Sequence, residues 1–175
     1  GHIVERKRHG PLLHNRVDVL TAQPEVRRDG TLPLLVLPGF LANANPTIFE
    51  DVARGFADLG REAHVVTFER LYRGSKLSKA AQHREFGGEK PQKGDPSIME
   101  FNKAVALLNY MDAQGIERAD LAPHSLETQS ALYAIALAPE RFGNAVFVTP
   151  TALNEEYPID NLVPRFARQI IPEAA

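Results

Sequence analysis

The run Leu32-Pro33-Leu34-Leu35-Val36-Leu37, closed by Pro38-Gly39, constrains this chain more than any other stretch. A strand with one wet face alternates apolar and polar residues. A near-continuous apolar run instead suits a strand covered on both faces, as in a parallel sheet. His64-Val65-Val66-Thr67-Phe68 and Ala145-Val146-Phe147-Val148 read the same way, and Arg118–Ala122 supplies a further strand. Helical patterns separate them. Asn45 is placed to cap a helix that begins at Pro46, carries Phe49, Val52, Phe56 and Leu59, and stops at Gly60. Ser97-Ile98-Met99-Glu100 has the form of a capping box. It predicts a helix with Phe101, Ala104, Val105, Leu108 and Met111 on one face, ended by Gly115. A third helix is expected over Leu126–Leu137, stopped by Pro139. Ahead of these, Ile3–Arg8 and the alternating Arg16–Thr21 suggest an opening β-region. The fold class expected is therefore α/β, a mostly parallel sheet with helices on both faces joined by right-handed crossovers.

A length of 175 residues fits one domain. The chain carries 24% charged residues and a formal net charge of −2, which gives no electrostatic case for nucleic acid. The absence of cysteine rules out disulfides, thiolate catalysis and cysteine metal ligation, and fits a cytoplasmic location. No apolar run approaches the ~20 residues of a membrane span. Neither a helical pair of metal-ligating histidines nor a glycine-rich phosphate loop occurs, so no metal and no cofactor is expected. Glu69–Asp95 is polar and rich in glycine and basic residues. It reads as a long surface excursion with one short helix near Leu77–His83, more in keeping with a solvated loop than with a binding patch.

Chemistry concentrates at Asp120-Leu121-Ala122-Pro123-His124-Ser125-Leu126-Glu127. A strand runs into a serine and a helix starts directly behind it, the layout of a nucleophile elbow. Serine is also a preferred helix cap, so Ser125 has a purely structural reading as well. Pro123 and Glu127 occupy positions where an elbow carries small residues. Glu127 would set a negative charge beside a developing oxyanion unless it points to solvent.

Leu-Pro-Gly-Phe after one buried strand, His-Ser after a later one, and Ala138-Pro139-Glu140-Arg141-Phe142 leading into a strand that ends at Thr149-Pro150 together resemble the α/β-hydrolase superfamily. The closest group is lipase- or esterase-like, with a lid after the sixth strand. The resemblance covers roughly Thr31 to Thr151. It implies an α/β-hydrolase-like core over 1–153 that lacks the last strands, and the start of a lid or C-terminal helical extension over 154–175, where the residue pattern of Leu162–Ile171 itself reads as one amphipathic helix. It also implies a serine hydrolase acting on a small-molecule ester or related acyl substrate, with Ser125 as nucleophile. The amides of Phe40 or Leu41, and of Leu126, would form the oxyanion hole. Glu155 or Glu156 would be the acid.

The family places its histidine after the serine, whereas the six here (His2, His9, His14, His64, His83 and His124) all precede it. His124 adjoins Ser125 and is expected to turn away from the hydroxyl. The triad is thus incomplete in this chain: the remainder lies in a longer enzyme, comes from another chain, or hydrolysis has been lost. The alternative function is a non-catalytic α/β-hydrolase-like binding or scaffold module. A weaker one is an unrelated doubly wound domain with a flavodoxin-like strand order. A sheet without its last strands exposes an edge, from which a homo-oligomer is expected.

Overall fold

Two long strands open the chain as an antiparallel hairpin, β1 (His2–Leu12) and β2 (Asn15–Pro24), with a bulge between His9 and Leu12. The computed structural model describes residues 2–12, 15–39, 46–68 and 98–150. Next come β3 (Leu34–Leu37), a 3₁₀ turn (Pro46–Phe49), α1 (Glu50–Asp58) and β4 (Ala63–Phe68). The second half holds α2 (Ile98–Ala113), β5 (Ala119–Pro123), α3 (Glu127–Leu137), a 3₁₀ turn (Pro139–Arg141) and β6 (Phe142–Ala145). They form one sheet in the order β1-β2-β4-β3-β5-β6. β2 pairs antiparallel with β4, and the pairs β3–β4, β3–β5 and β5–β6 are parallel. Parallel β4, β3, β5 and β6 agree with the expected fold class; taken alone they run 2-1-3-4, as in a flavodoxin-like sheet, and the antiparallel β1–β2 hairpin beside β4 is what sets this sheet apart. Asn45, the Glu69–Asp95 excursion, Ser97 and everything from residue 151 onward lie outside the described residues.

Alternation along the central strands builds two cores. Val17, Val19, Leu35, Leu37, Val66 and Phe68 point to one face, where α2 and α3 cover them with Ala104, Leu107, Met111, Ala131 and Ala134. Leu20, Ala22, Leu34, Val36, Ala63 and Val65 point to the other, under α1. All four residues of β3 and all six of β4 are buried, as their apolar runs require.

Helix α1 seats itself on smaller residues than its large apolar side chains suggest. On α1 the buried positions are Ala53 and Ala57, while Val52 and Leu59 are exposed. On α2 the buried set is Glu100, Lys103, Ala104, Ala106, Leu107, Tyr110 and Met111, a face turned by about one position from the one expected. Small side chains let a helix axis approach a flat sheet closely, and that gain outweighs burying one more valine or leucine.

The last strand differs too. β6 spans Phe142–Ala145, and the expected strand at Ala145–Val148 survives only as an isolated bridge between His124 and Val148. Val146 donates its N–H to the Leu121 carbonyl, and Val148 donates to that of Pro123. The intervening ladder bond, from position 123 back to Val146, has no donor because proline lacks an N–H. Pro123 thus interrupts the ladder; Val146 and Val148, on the face that no described element covers, are largely exposed.

Asp120 gathers the entry side of the sheet. One carboxylate oxygen takes the Arg61 guanidinium at 2.5 Å, and the other accepts the Asn144 backbone N–H at 2.6 Å. Arg61 also donates to the Leu32 carbonyl. Gly143 lies so close that any side chain there would run into the carboxylate.

Candidate functional site

The exit ends of β3 and β5 meet at Gly39 and Ser125. Ser125 has φ = +55°, the left-handed region that a residue with a Cβ adopts only at a cost of about 1–3 kcal/mol. Backbone bonds hold it there. Its N–H donates to the Val148 carbonyl at 3.0 Å, and its carbonyl accepts from Thr128 at 3.1 Å. The Glu127 N–H closes the turn on the His124 carbonyl at 3.2 Å. The residue capping α3 is Leu126, and no side chain makes a cap hydrogen bond there. Ser125 therefore sits in a sharp strand-to-helix reversal and does not cap the helix. Thr149, next to the bridging Val148, also has a positive φ of 43°.

Gly39 fits against this turn as no other residue could. A Cβ there would lie 2.7 Å from the Ser125 Cβ and 3.0 Å from the His124 carbonyl oxygen. Pro38-Gly39 is more than a strand-ending turn: it sets the Gly39 backbone against the serine. Phe40 and Leu41, which continue that loop, lie outside the described residues, as do Glu155 and Glu156. Leu126 follows Ser125 at the start of α3, partly exposed, where the positive end of the helix dipole adds to its amide.

His124 turns its ring to the loop after β3. Its Nδ1 accepts the Gly39 N–H at 3.3 Å, which leaves the ring proton on Nε2, and Phe49 lies 5.9 Å away, centroid to centroid. His64 is far along the chain from Ser125 and has its own partners. Tyr110 and Thr21 hydroxyls approach its Nδ1 at 2.8 and 3.3 Å, and its Nε2 meets the Glu62 carboxylate at 3.0 Å. This cluster borders a cleft of about 210 Å³ lined by β1 and β2 residues, including Lys7 and His9, and by Gln114 just past the end of α2. His64 pairing holds the Glu62 carboxyl below its usual range, and burial pushes the Tyr110 hydroxyl well above its own.

Glu127 overturns the expectation drawn from its position. It points neither at solvent nor unpaired toward the serine, but is fully buried between α3 and α2. Lys103 Nζ meets its Oε1 at 2.5 Å, and the Ser130 hydroxyl donates to its Oε2 at 2.8 Å. The Lys103 ammonium also lies 5.9 Å from the Phe68 ring centroid. The bulk that an elbow does not tolerate at this position is thus drawn sideways into a helix–helix contact. Sequence reasoning missed Lys103 and Ser130. The available signal was a lysine amid the apolar residues of α2.

Among the described residues no group of three or more His, Cys, Asp and Glu is placed to hold a metal ion. No helix among them is long and apolar enough to cross a membrane.

No protein-family model and no curated protein matches the sequence. Solved structures do. A predicted CIB-like hydrolase from Thermoplasma acidophilum superposes with a TM-score of 0.58 at 13% identity, covering 86% of this chain and 64% of that one. The carboxylesterase CesB from Bacillus subtilis gives 0.56 at 16%, covering 85% and 44%. A probable hydrolytic enzyme from Pseudomonas aeruginosa gives 0.58 at 15%, covering 94% and 49%. The chain thus spans about half the length of the latter two and under two thirds of the first. At such identities the likeness concerns the fold.

Proposed function

The chain has the α/β-hydrolase fold, and on that premise we propose that it is a serine hydrolase cleaving an ester or related acyl bond of a small molecule, with Ser125 as nucleophile. The observation that carries this reading is the left-handed Ser125 at the end of β5, held against a glycine that no other residue can replace. Strain of this kind persists only where the surroundings impose it, and it lifts a hydroxyl clear of both strand and helix.

In the reaction, Ser125 Oγ attacks the substrate carbonyl carbon and gives its proton to a base. The negative oxygen of the tetrahedral intermediate is met by the Leu126 N–H and by that of Phe40 or Leu41. Collapse expels the alcohol and leaves an acyl-serine, which water hydrolyses. The acid is assigned to Glu155 or Glu156. The base expected of this fold is a histidine; none follows Ser125 in these residues, and the ring of His124 just before it is engaged by Gly39. Loss of a base costs on the order of a millionfold in turnover, while the oxyanion donors and binding retain about 10³–10⁴ over water. The test is therefore stoichiometric. A fluorophosphonate probe is expected to label the protein, and Ser125→Ala to abolish labelling. A folded, full-length protein that takes no label would support the non-catalytic binding module instead. Cytoplasmic location and self-association at the β6 edge complete the proposal; the exposed Val146 and Val148 beside that edge support the second.

A further inference from the structure

We infer that Lys103 is a positioning residue for the oxyanion site: it neutralises Glu127 so that the start of α3 stays electropositive beside Ser125. The inference rests on the serine-hydrolase reading above and deepens it. A helix N-terminus presents about +0.5 of an elementary charge. Glu127 is the first residue of α3, two positions after Ser125, and its carboxylate is entirely withdrawn from water. Unpaired, it would turn that end to about −0.5, the wrong sign for an oxygen that gains negative charge during attack. Lys103, itself buried and 2.5 Å away, restores the sign.

The geometry also fixes where the lysine can act. Its ammonium is held between Glu127 and the ring of Phe68, at the end of β4. Ser130 occupies the second carboxylate oxygen, so Glu127 cannot swing toward the serine. Glu100, one turn before Lys103 on α2, is buried as well and, after burial itself, raises the Tyr133 hydroxyl. It is left unchanged in every variant below.

The two partners are therefore expected to affect the serine in opposite directions, which a packing role would not produce. The readout is the second-order rate of fluorophosphonate labelling of the full chain, with circular dichroism confirming the fold. Lys103→Met should label roughly tenfold slower, the equivalent of about 1.4 kcal/mol. Lys103→Arg, which keeps the charge, should restore most of the rate. Glu127→Gln, which keeps the shape, should label several-fold faster than wild type. The double variant Lys103→Met/Glu127→Gln should return to within about threefold of wild type, because both charges leave together.

Should Lys103→Met fail to fold, Glu127→Gln against the double variant reads the same lysine charge. Equal rates for those two, or slowing by both single substitutions, overturns the inference while leaving Ser125 as nucleophile. Wild-type protein that takes no label overturns the hydrolase reading, and the inference with it.

Discussion

At Ser125 the backbone conformation and the chemistry make opposite demands. A left-handed φ favours glycine, whereas nucleophilic attack needs the hydroxyl. Ser125→Gly should therefore unfold at higher denaturant than Ser125→Ala, by about 1 kcal/mol, even though both lose the hydroxyl. Equilibrium urea unfolding of the two variants checks this, and equal stabilities would mean that the turn is not strained. The position of Ser125 was legible in the sequence because strand, serine and helix are contiguous. The fate of Glu127 was not. Its partner Lys103 lies 24 residues away, and the pairing depends on how α2 and α3 pack. The His64 cluster escaped for the same reason, since Thr21 and Tyr110 are 43 and 46 residues distant.

Among the elements, strands were easier to read than helix faces. A strand buried on both sides needs only an apolar run, and β3 and β4 answered to theirs. A helix face depends on how closely the helix approaches its sheet, which large side chains alone do not reveal. α1 rests on Ala53 and Ala57, so volume added there has nowhere to go. Ala53→Leu is expected to cost about 1–3 kcal/mol through overpacking, whereas Val52→Ser, at a position 42% exposed, should cost under about 0.5. Thermal unfolding of both variants decides between this face and the one the larger residues suggested. β6 shows how one local residue shapes a neighbour: Pro123 withholds a single N–H, and the adjoining strand stops early.

For the molecule as a whole, the ionisable groups bracket the range in which the fold is stable. Asp18 is held below its ordinary value of 3.8 by hydrogen bonding to Arg6, and Glu62 below 4.5 by His64. A depressed carboxyl contributes stability above its unfolded value and loses it as pH falls through the folded one. Tyr110 is shifted the opposite way, upward from 10 by burial. Its contribution is complete below that value and drains away as pH climbs further. Stability should thus decline above about pH 10 and below about pH 4.5, with a shallower loss beginning below about pH 6.5 because burial also lowers His9 from that value. Chemical denaturation across pH maps it, and Asp18→Asn should flatten the acid limb.

The Asp120 junction has a consequence for how the structure breathes. Asn144 stands at the surface, yet a carboxylate anchored to Arg61 grips its amide, and Gly143 leaves no slack beside it. The Asn144 amide is therefore expected to exchange with solvent more slowly than its place at the surface suggests, and as fast as its exposed neighbours once Asp120→Ala removes the acceptor; hydrogen exchange measures both.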